Sequence, residues 1–357
     1  MRALVAMSGG VDSSVAAALM LDLGYEVIGV TLKQWENPDG SLPTAGCCTV
    51  GDAEDARRVS AQLGIDYYVL DYVDEFREAV VEPWAQAYLE GSTPNPCVEC
   101  NRNVRFDALL DRAADLGCDV LATGHHARIS QDQAGFHLLR GKDLTKDQSY
   151  VLHMLGQDQL SRIKLPIGEM TKADVWAEAA AMGLRTAGKA ESMEICFVGK
   201  GNYRDFLAEH FPETRRPGVI VNTGGEVLGE HEGTAGFTIG QRRGHGVALG
   251  ERTYVVDIQP GTSTVVLGRK EDLLASGCDL KQVSFIAGSY PQTPHVDVKI
   301  RYRSEPVPAT ISGSADTWRV EFHEPQSAVA PGQIAVFYDG EEVLGGGVIH
   351  RAVPPES

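Results

Sequence analysis

The sequence is short of basic charge. Its 357 residues carry 32 lysines and arginines against 49 aspartates and glutamates, a formal net charge of −17. At first sight that balance argues against a nucleic-acid partner, because phosphate binding draws on Lys and Arg. Long hydrophobic runs are also missing. No stretch approaches the roughly 18–20 apolar residues needed to span a bilayer, so no membrane partner is expected. The N-terminal MRALVAMSGGVDSS has no signal-peptide h-region ending in a small-residue cleavage site. The seven cysteines, at 47, 48, 97, 100, 118, 196 and 278, are odd in number and scattered, unlike the even framework of a small secreted domain. A reducing cytoplasm is the expected location. Repeats and low-complexity tracts are absent as well. What is present, 43% hydrophobic and 23% charged residues, is ordinary for a soluble globular enzyme and excludes a disordered, collagen-like or coiled-coil chain.

The first 200 residues alternate short apolar strands with amphipathic helical stretches. Strands are expected at 2–7, 25–32, 67–71 and 119–123, and helices at 13–23, 52–63, 72–90 and 101–117. Thr171 and Asp174 give a capping-box pattern that opens a helix running to about Met182. This alternation predicts an α/β unit on a doubly wound parallel sheet. Beyond residue 200, Gly-rich turns separate alternating segments. From about 280 onward VDVKIRYR, PATIS, WRVEF, QIAVFY and GGGVIH read as short antiparallel strands of a small β-barrel. Three units are expected: an α/β catalytic domain over 1–200, a small mixed domain over 201–276 and a C-terminal antiparallel β-barrel over 277–357.

Ser8-Gly9-Gly10-Val11-Asp12-Ser13-Ser14 follows the first strand and opens the first helix. A helix N-terminus with small side chains and outward N–H groups is an anion site, and glycines let the backbone approach a phosphate. Neither the Walker A pattern nor G-x-G-x-x-G is present. A tight strand-to-helix turn with a serine cap is the plainer alternative. The whole string resembles the pyrophosphate loop of the N-type ATP pyrophosphatases, which cleave ATP between the α- and β-phosphates and adenylate a substrate oxygen. The resemblance implies that the loop holds the departing pyrophosphate and that Asp12 belongs to a Mg²⁺–phosphate arrangement. It leaves the nucleophile open.

Two cysteine-bearing segments bear on that question. Thr93-Pro94-Asn95-Pro96-Cys97-Val98-Glu99-Cys100-Asn101 is a Pro-punctuated loop ahead of a helix expected to begin near Asn101. Thiols near a helix N-terminus have lowered pKa values and are reactive at neutral pH. The segment from Ala187 to Gly199 carries Cys196 among small and polar residues, and nothing local demands a thiol there. Cys118 and Cys278 read as filler.

S-G-G-V-D-S-S, G-C-C-T at 46–49, T-P-N-P-x-x-x-C-N, A-T-G-H-x-A-R at 122–128, K-D-Q-S-Y at 146–150 and E-I-C-F-V at 194–198 occur in that order. Together they resemble the bacterial tRNA-specific 2-thiouridylase family over the whole chain. The resemblance implies ATP-dependent adenylation of O2 of the anticodon wobble uridine, followed by replacement with sulfur. It implies that Cys196 takes a persulfide from a sulfur relay or a cysteine desulfurase, that Cys100 is its partner nucleophile, and that the two can form a disulfide. It further implies ATP contacts at Ala6, Met7, Ser8, Gly9, Gly10, Val11, Asp12, Ser13, Leu32 and Gly124. Asn95, Pro96 and Cys97 match the loop that touches the target base. His125, Lys146, Asp147, Gln148, Arg301, Tyr302 and Gln333 match tRNA-contacting positions. Each of these tRNA positions has a plainer alternative: a strand end for His125, a solvated turn for Lys146 and Asp147, a barrel-surface charge for Arg301.

One position departs from the best-known members, which carry an acidic residue where this chain has Cys97. Cys97, Cys100 and Cys196 then make a three-thiolate set that can hold a [4Fe–4S] cluster with one open iron, able to bind hydrosulfide as the sulfur donor. A zinc site wants a fourth ligand, and none is evident. Persulfide relay and cluster-dependent transfer both stand as expectations, beside an amide-forming synthetase of the same fold that needs no essential cysteine. A monomer is expected.

The charge deficit is uneven. Residues 1–99 carry a net −11, residues 100–200 a net 0 and residues 201–357 a net −6. Basic residues group at Arg102/Arg105, Arg140/Lys142/Lys146, Arg215/Arg216, Arg242/Arg243 and Lys299/Arg301/Arg303. Binding depends on where a basic face lies rather than on the total, so tRNA is not excluded.

Overall fold

The computed structural model describes residues 1–37, 49–189, 195–198, 201–247, 250–291, 293–314 and 317–355. Cys47, Cys48 and Glu194, quoted in two of the motifs above, lie outside the described residues.

Strand β1 (Arg2–Ala6) buries Ala3, Leu4 and Val5 completely. A continuous apolar run is what a parallel strand covered by helices on both faces requires. It pairs in parallel with β2 (Glu26–Lys33), and β2 pairs with β3 (Asp66–Asp71). On its other side β1 pairs with β4 (Val120–Thr123). A hairpin of β5 (Ala127–Asp132) and β6 (Gly135–Arg140) follows, and β7 (Ile163–Lys164) returns beside β4. The sheet order β3-β2-β1-β4-β7 reverses direction between β1 and β4. In open α/β sheets ligands bind beyond the carboxyl ends of the strands at such a switch point.

Helix α1 (Val11–Asp22) leaves β1 through the glycine turn. Helix α2 (Val50–Leu63) is opened by a Thr49/Asp52 capping box and closed by Gly64 in the left-handed region. The expected capping box at Thr171 and Asp174 is present and starts the helix Lys172–Ala181. The next two expected helices run over 73–89 and 96–115, each with a π-helical stretch, Arg77–Val81 and Cys100–Ala108. The second begins at Pro96 rather than near Asn101. Asn95 caps it, its Oδ1 accepting from the Cys97 N–H at 3.1 Å, and Pro96 takes the first position, where no N–H is needed.

The middle of the chain folds as β8 (Gly218–Asn222), β9 (Val227–His231), β10 (Tyr254–Gln259) and β11 (Thr264–Gly268), in the order β10-β11-β8-β9. The rest is antiparallel: β12 (Leu274–Phe285), β13 (His295–Lys299), β14 (Val307–Ser314), β15 (Thr317–Ser327), β16 (Ile334–Asp339) and β17 (Glu342–Val353). The order β12-β15-β14-β13-β16-β17, with β17 pairing back to β12, closes a barrel. The architecture is therefore the one the sequence pattern predicted, with two differences of detail. The β5–β6 hairpin, inside the stretch read as α/β, pairs through β6 with β17 and extends the barrel's sheet. The expected border at 276 falls inside β12.

Arg301 joins the barrel to the middle unit. Its guanidinium donates to the carbonyls of Ala328 at 2.6 Å and Ile239 at 3.4 Å. Replacing it with Ala should lower the unfolding free energy measured in urea by about 1.5–3 kcal/mol, the range for hydrogen bonds from a charged donor. Arg301→Lys should restore little of this, because both bonds come from the one nitrogen Nη2, which the rigid guanidinium plane holds in place and a flexible lysine stem does not. A fully stable Arg301→Ala protein would contradict the joint.

Candidate nucleotide and cysteine site

The phosphate loop is built by backbone packing. Gly9 has φ +71°, and a Cβ there would stand 2.1 Å from the Asp52 carbonyl oxygen in the first turn of α2. A Cβ on Gly124, just past β4, would stand 2.7 Å from the backbone of Asp12 and Ser13. Both positions need glycine for close approach. Gly10 is the N-cap of α1 and supplies no capping side chain, so the first-turn N–H groups of the helix are left to face an anion. Ser13 and Ser14 turn their hydroxyls back onto the Gly10 carbonyl, at 3.1 and 2.8 Å, and the Ser8 N–H donates to Ser13 Oγ at 3.1 Å. The serines therefore shape the loop as much as they offer donors.

The loop opens into a cleft at the switch point, lined by Ala6, Met7, Ser8, Asp12, Ser13, Leu32, Gly124, His125 and Gln148 of the expected residues. Gly9, Gly10 and Val11 are not among its lining residues. Val30, Thr31, Gln34, Arg105 and Thr123 line it too and were not anticipated. Thr31 and Gln34 lie at the carboxyl end of a buried strand, which is the signal that was available for them.

Asp12 is engaged by a cation of the chain itself. Lys172 Nζ donates to both of its carboxylate oxygens at 2.8 Å, and His126 Nε2 lies 3.3 Å from Oδ1. Burial alone would raise the Asp12 pKa, but hydrogen bonds from His126 and Lys172 outweigh it and hold the carboxyl below its usual range. Lys172 went unnoticed in the sequence, although it directly follows the helix cap at Thr171. His125 is buried and shares a 2.7 Å hydrogen bond with Thr123. Burial, with Arg105 nearby, holds its imidazole down to about 3, so it is neutral, and it lines the cleft.

Gln34 connects the cleft to the cysteines. It lines the cleft, and its Nε2 donates to Cys100 Sγ at 3.3 Å. Cys100 is buried one turn inside its helix rather than at the N-terminus; Cys97 is exposed in the first turn; Cys196 is half-buried against the same hydrophobic core. Among the described residues no three His, Cys, Asp or Glu side chains group as a metal ion requires. Cys97, Cys100 and Cys196 are not drawn into such a group in this structure. Cys118 and Cys278 are buried, and burial raises both thiols, Cys278 to about 12, as befits inert filler.

The loop carrying Asn95, Pro96 and Cys97 is held by the barrel. Gln333 Nε2 donates to the Thr93 carbonyl at 2.6 Å, and the Thr93 N–H donates to the Pro331 carbonyl at 2.7 Å. Gln333 is thereby turned toward the chain's own loop. Asp147, implied as a tRNA contact, points inward and accepts from Gly141, Ser149 and Arg140. Gln148 clasps His126 through hydrogen bonds in both directions. Lys146 is half-buried in the turn closed by its N–H and the Asp143 carbonyl. Tyr302 is exposed, with Lys299 Nζ 5.7 Å above its ring.

Comparison with known proteins fits this geometry. A family model described as "tRNA methyl transferase HUP domain" matches residues 1–200, a PRC-barrel model of the same series matches 204–269, and an aminomethyltransferase β-barrel model matches 275–349. The tRNA-specific 2-thiouridylase MnmA of Roseiflexus sp. (strain RS-1) is 48% identical, covering 98% of this chain and 99% of the relative. Those of Chloroflexus aggregans and Carboxydothermus hydrogenoformans are 49% and 47% identical, each over 98% of both chains. The chain belongs to the tRNA-specific 2-thiouridylase family. The methyl-transferase wording of the domain models differs from the names of these full-length relatives. A phosphate loop and a thiol bonded to the cleft wall equip a 2-thiouridylase and have no evident use in methyl transfer.

The neutral state of His125 in this 2-thiouridylase fold has a pH signature. The unfolded chain takes up more protons than the folded one between pH 6.5 and about 3, so stability falls as pH drops through that window. His125→Asn, which cannot titrate, should show a shallower loss of melting temperature across the window's upper half. An unchanged slope would mean that His125 is not neutral in the folded protein.

Proposed function

We propose that this chain catalyses the ATP-dependent 2-thiolation of the wobble uridine in tRNA anticodons through Cys100 and Cys196. One observation supports it above the others: Gln34 lines the nucleotide cleft and bonds the Cys100 sulfur, putting a thiol against the wall where an adenylate forms. In the first step uracil O2 attacks the α-phosphorus of ATP, the O2–P bond forms, the bond to the β-phosphate oxygen breaks, and pyrophosphate leaves toward the α1 N-terminus. The residues of the phosphate loop, with Leu32 and Gly124, hold the nucleotide. Asp12 is the one carboxylate among the lining residues, which fits a Mg²⁺ ion arriving on the triphosphate with Asp12 as its protein ligand. When bound, such an ion would neutralise charge on the leaving pyrophosphate.

In the second step the outer sulfur of a Cys196 persulfide attacks C2, and AMP departs with the former uracil oxygen. The Cys100 thiolate then attacks Cys196 Sγ. The S–S bond breaks, its electron pair becomes the C2 thiocarbonyl, and a Cys100–Cys196 disulfide remains. A thiol reductant supplies two electrons to restore the pair, and a persulfide relay or cysteine desulfurase reloads Cys196. Asn95, Pro96 and Cys97 would present the base, with tRNA contacts from Lys146 and the exposed Tyr302. The enzyme acts in the cytoplasm as a monomer. A cluster route draws no support from the cysteine positions, and an amide-forming synthetase leaves Cys100 beside the cleft unexplained.

Cys100→Ser and Cys196→Ser should each abolish 2-thiouridine while ATP and tRNA still yield pyrophosphate in a single turnover. Full thiolation by either variant would overturn the proposal. Affinity for tRNA should fall steeply as salt rises from about 50 to 200 mM, the mark of phosphate contacts. A salt-independent affinity would exclude RNA binding through the basic groups.

A further inference from the structure

Arg105 is the one lysine or arginine among the described residues that line the nucleotide cleft. The two steps proposed for the reaction leave it without a role. It reaches the cleft because its helix is irregular. In a regular α-helix, residues five apart point about 140° away from each other. Here Cys100–Ala108 is π-helical, and the Leu109 N–H donates to the Val104 carbonyl five residues back. That bonding stacks positions five apart on one face, and such stretches recur at functional sites. Cys100 and Arg105 are five apart. The thiol meets the cleft through Gln34, and the half-buried guanidinium side chain lines it directly.

The π-helical stretch is held in this form along its length. Gln34 Nε2 donates to Cys100 Sγ at 3.3 Å, Asn101 Nδ2 donates to the Val151 carbonyl at 3.0 Å, and Gln159 Nε2 donates to the Phe106 carbonyl at 2.9 Å. Phe106 is fully buried, with its ring centroid 5.7 Å from that of His125 just past β4. The turn that carries Arg105 is therefore packed against the end of the parallel sheet. His125 stays neutral, through burial and the charge of Arg105, so the fixed positive charge of this wall rests on the guanidinium.

The order of the reacting atoms selects its partner. Sulfur attacks C2, C2 carries O2, and O2 becomes bonded to the α-phosphorus, while the β- and γ-phosphates lead on to the α1 N-terminus. The α-phosphate is thus the phosphate nearest the cysteine side of the cleft, where Arg105 stands. We propose that Arg105 is a catalytic residue of adenylation, donating from its guanidinium to the non-bridging oxygens of the α-phosphate. This rests on the reading that the cleft binds ATP and that uracil O2 is adenylated. Negative charge gathers on those oxygens as the O2–P bond forms and the bond to pyrophosphate breaks, and a preorganised cation stabilises it. A guanidinium suits the task, because it is permanently charged and its parallel N–H groups match two phosphate oxygens. The same contact persists in the adenylate and steadies AMP as it departs from C2.

The test measures AMP, adenosine and inorganic pyrophosphate as ligands by calorimetry, and pyrophosphate release in a single turnover with ATP and tRNA. Arg105→Met removes the charge and keeps an unbranched stem. It should weaken AMP by about 10- to 100-fold, the scale of hydrogen bonds to a charged group, and leave adenosine and pyrophosphate unchanged. It should slow pyrophosphate release by about 100- to 1000-fold, as loss of a transition-state donor does. Arg105→Lys should recover part of both effects. Unchanged AMP affinity, an equal loss for all three ligands, or pyrophosphate release at the parent rate would overturn the proposal. Melting temperatures taken alongside show whether Arg105→Met folds; if it does not, Arg105→Gln is read by the same criteria. Failure of the underlying reading shows separately, as a parent enzyme that binds neither ATP nor AMP or releases no pyrophosphate with tRNA.

Discussion

The close approach of backbone to backbone around the first turn of α1 is the constraint on which the site depends. Gly9 lies on the first turn of α2, and Gly124 lies on the peptide between Asp12 and Ser13. Between these contacts the N-cap is Gly10, which offers no capping side chain, so the first-turn N–H groups are left without one. A phosphate can satisfy them where a serine hydroxyl would otherwise have done so. In that first turn Asp12 is held by Lys172 and His126. A carboxylate at the mouth of an anion site would repel its ligand unless neutralised, and the ammonium at 2.8 Å supplies that neutralisation.

The other units bear on this site through a few specific joints. The barrel grips the loop ahead of Cys97 by two backbone-directed hydrogen bonds, and Gly332 between them has φ +86° with a would-be Cβ 2.8 Å from the Thr93 nitrogen. The hairpin β5–β6 leaves the parallel sheet immediately after Gly124 and His125 and joins the barrel through β17. Both ends of the cleft, the β4 terminus and the cysteine helix, are thus held by the same distant barrel. A displacement of the barrel by bound RNA would reach both together, whereas a catalytic domain on its own would lack either support.

What could be read from the sequence follows chain locality. S-G-G-V-D-S-S is contiguous, and its loop needs only its own residues and two glycine contacts, so the strand-to-helix turn was legible. The strands and helices of the parallel sheet and most barrel strands were legible from their periodicity. Groups that converge from distant segments were not. Gln34, Arg105, Lys172 and Lys189 are ordinary polar residues in their local context and become site residues only through pairing with Cys100, Asp12 or Gly9. The inward turns of Asp147 and Gln333 were hidden for the same reason. The helix start at Pro96 has a local signal, since Asn95-Pro96 is a cap followed by a first helical residue, but prolines flanking a loop also punctuate it.

The shortage of basic charge also takes a different meaning once each arginine is placed. Arg2, Arg57, Arg58, Arg77, Arg112, Arg128, Arg162, Arg319 and Arg351 are paired with carboxylates, mostly across surface contacts. Such arginines offer an RNA phosphate little, because their charge is already answered. Arg215, Arg216, Arg242, Arg243 and Arg303 are exposed and make no ion pair among the described residues. All five belong to the middle unit or to the barrel segment that Arg301 fastens to it. Arg204 steadies part of that surface by donating to the Gly244 carbonyl at 3.2 Å, beside Arg243. A polyanion meeting this molecule is repelled by the acidic first hundred residues and attracted where cations have no internal partner. The deficit that at first argued against nucleic acid is therefore concentrated in the first hundred residues, while these five exposed arginines lie outside them.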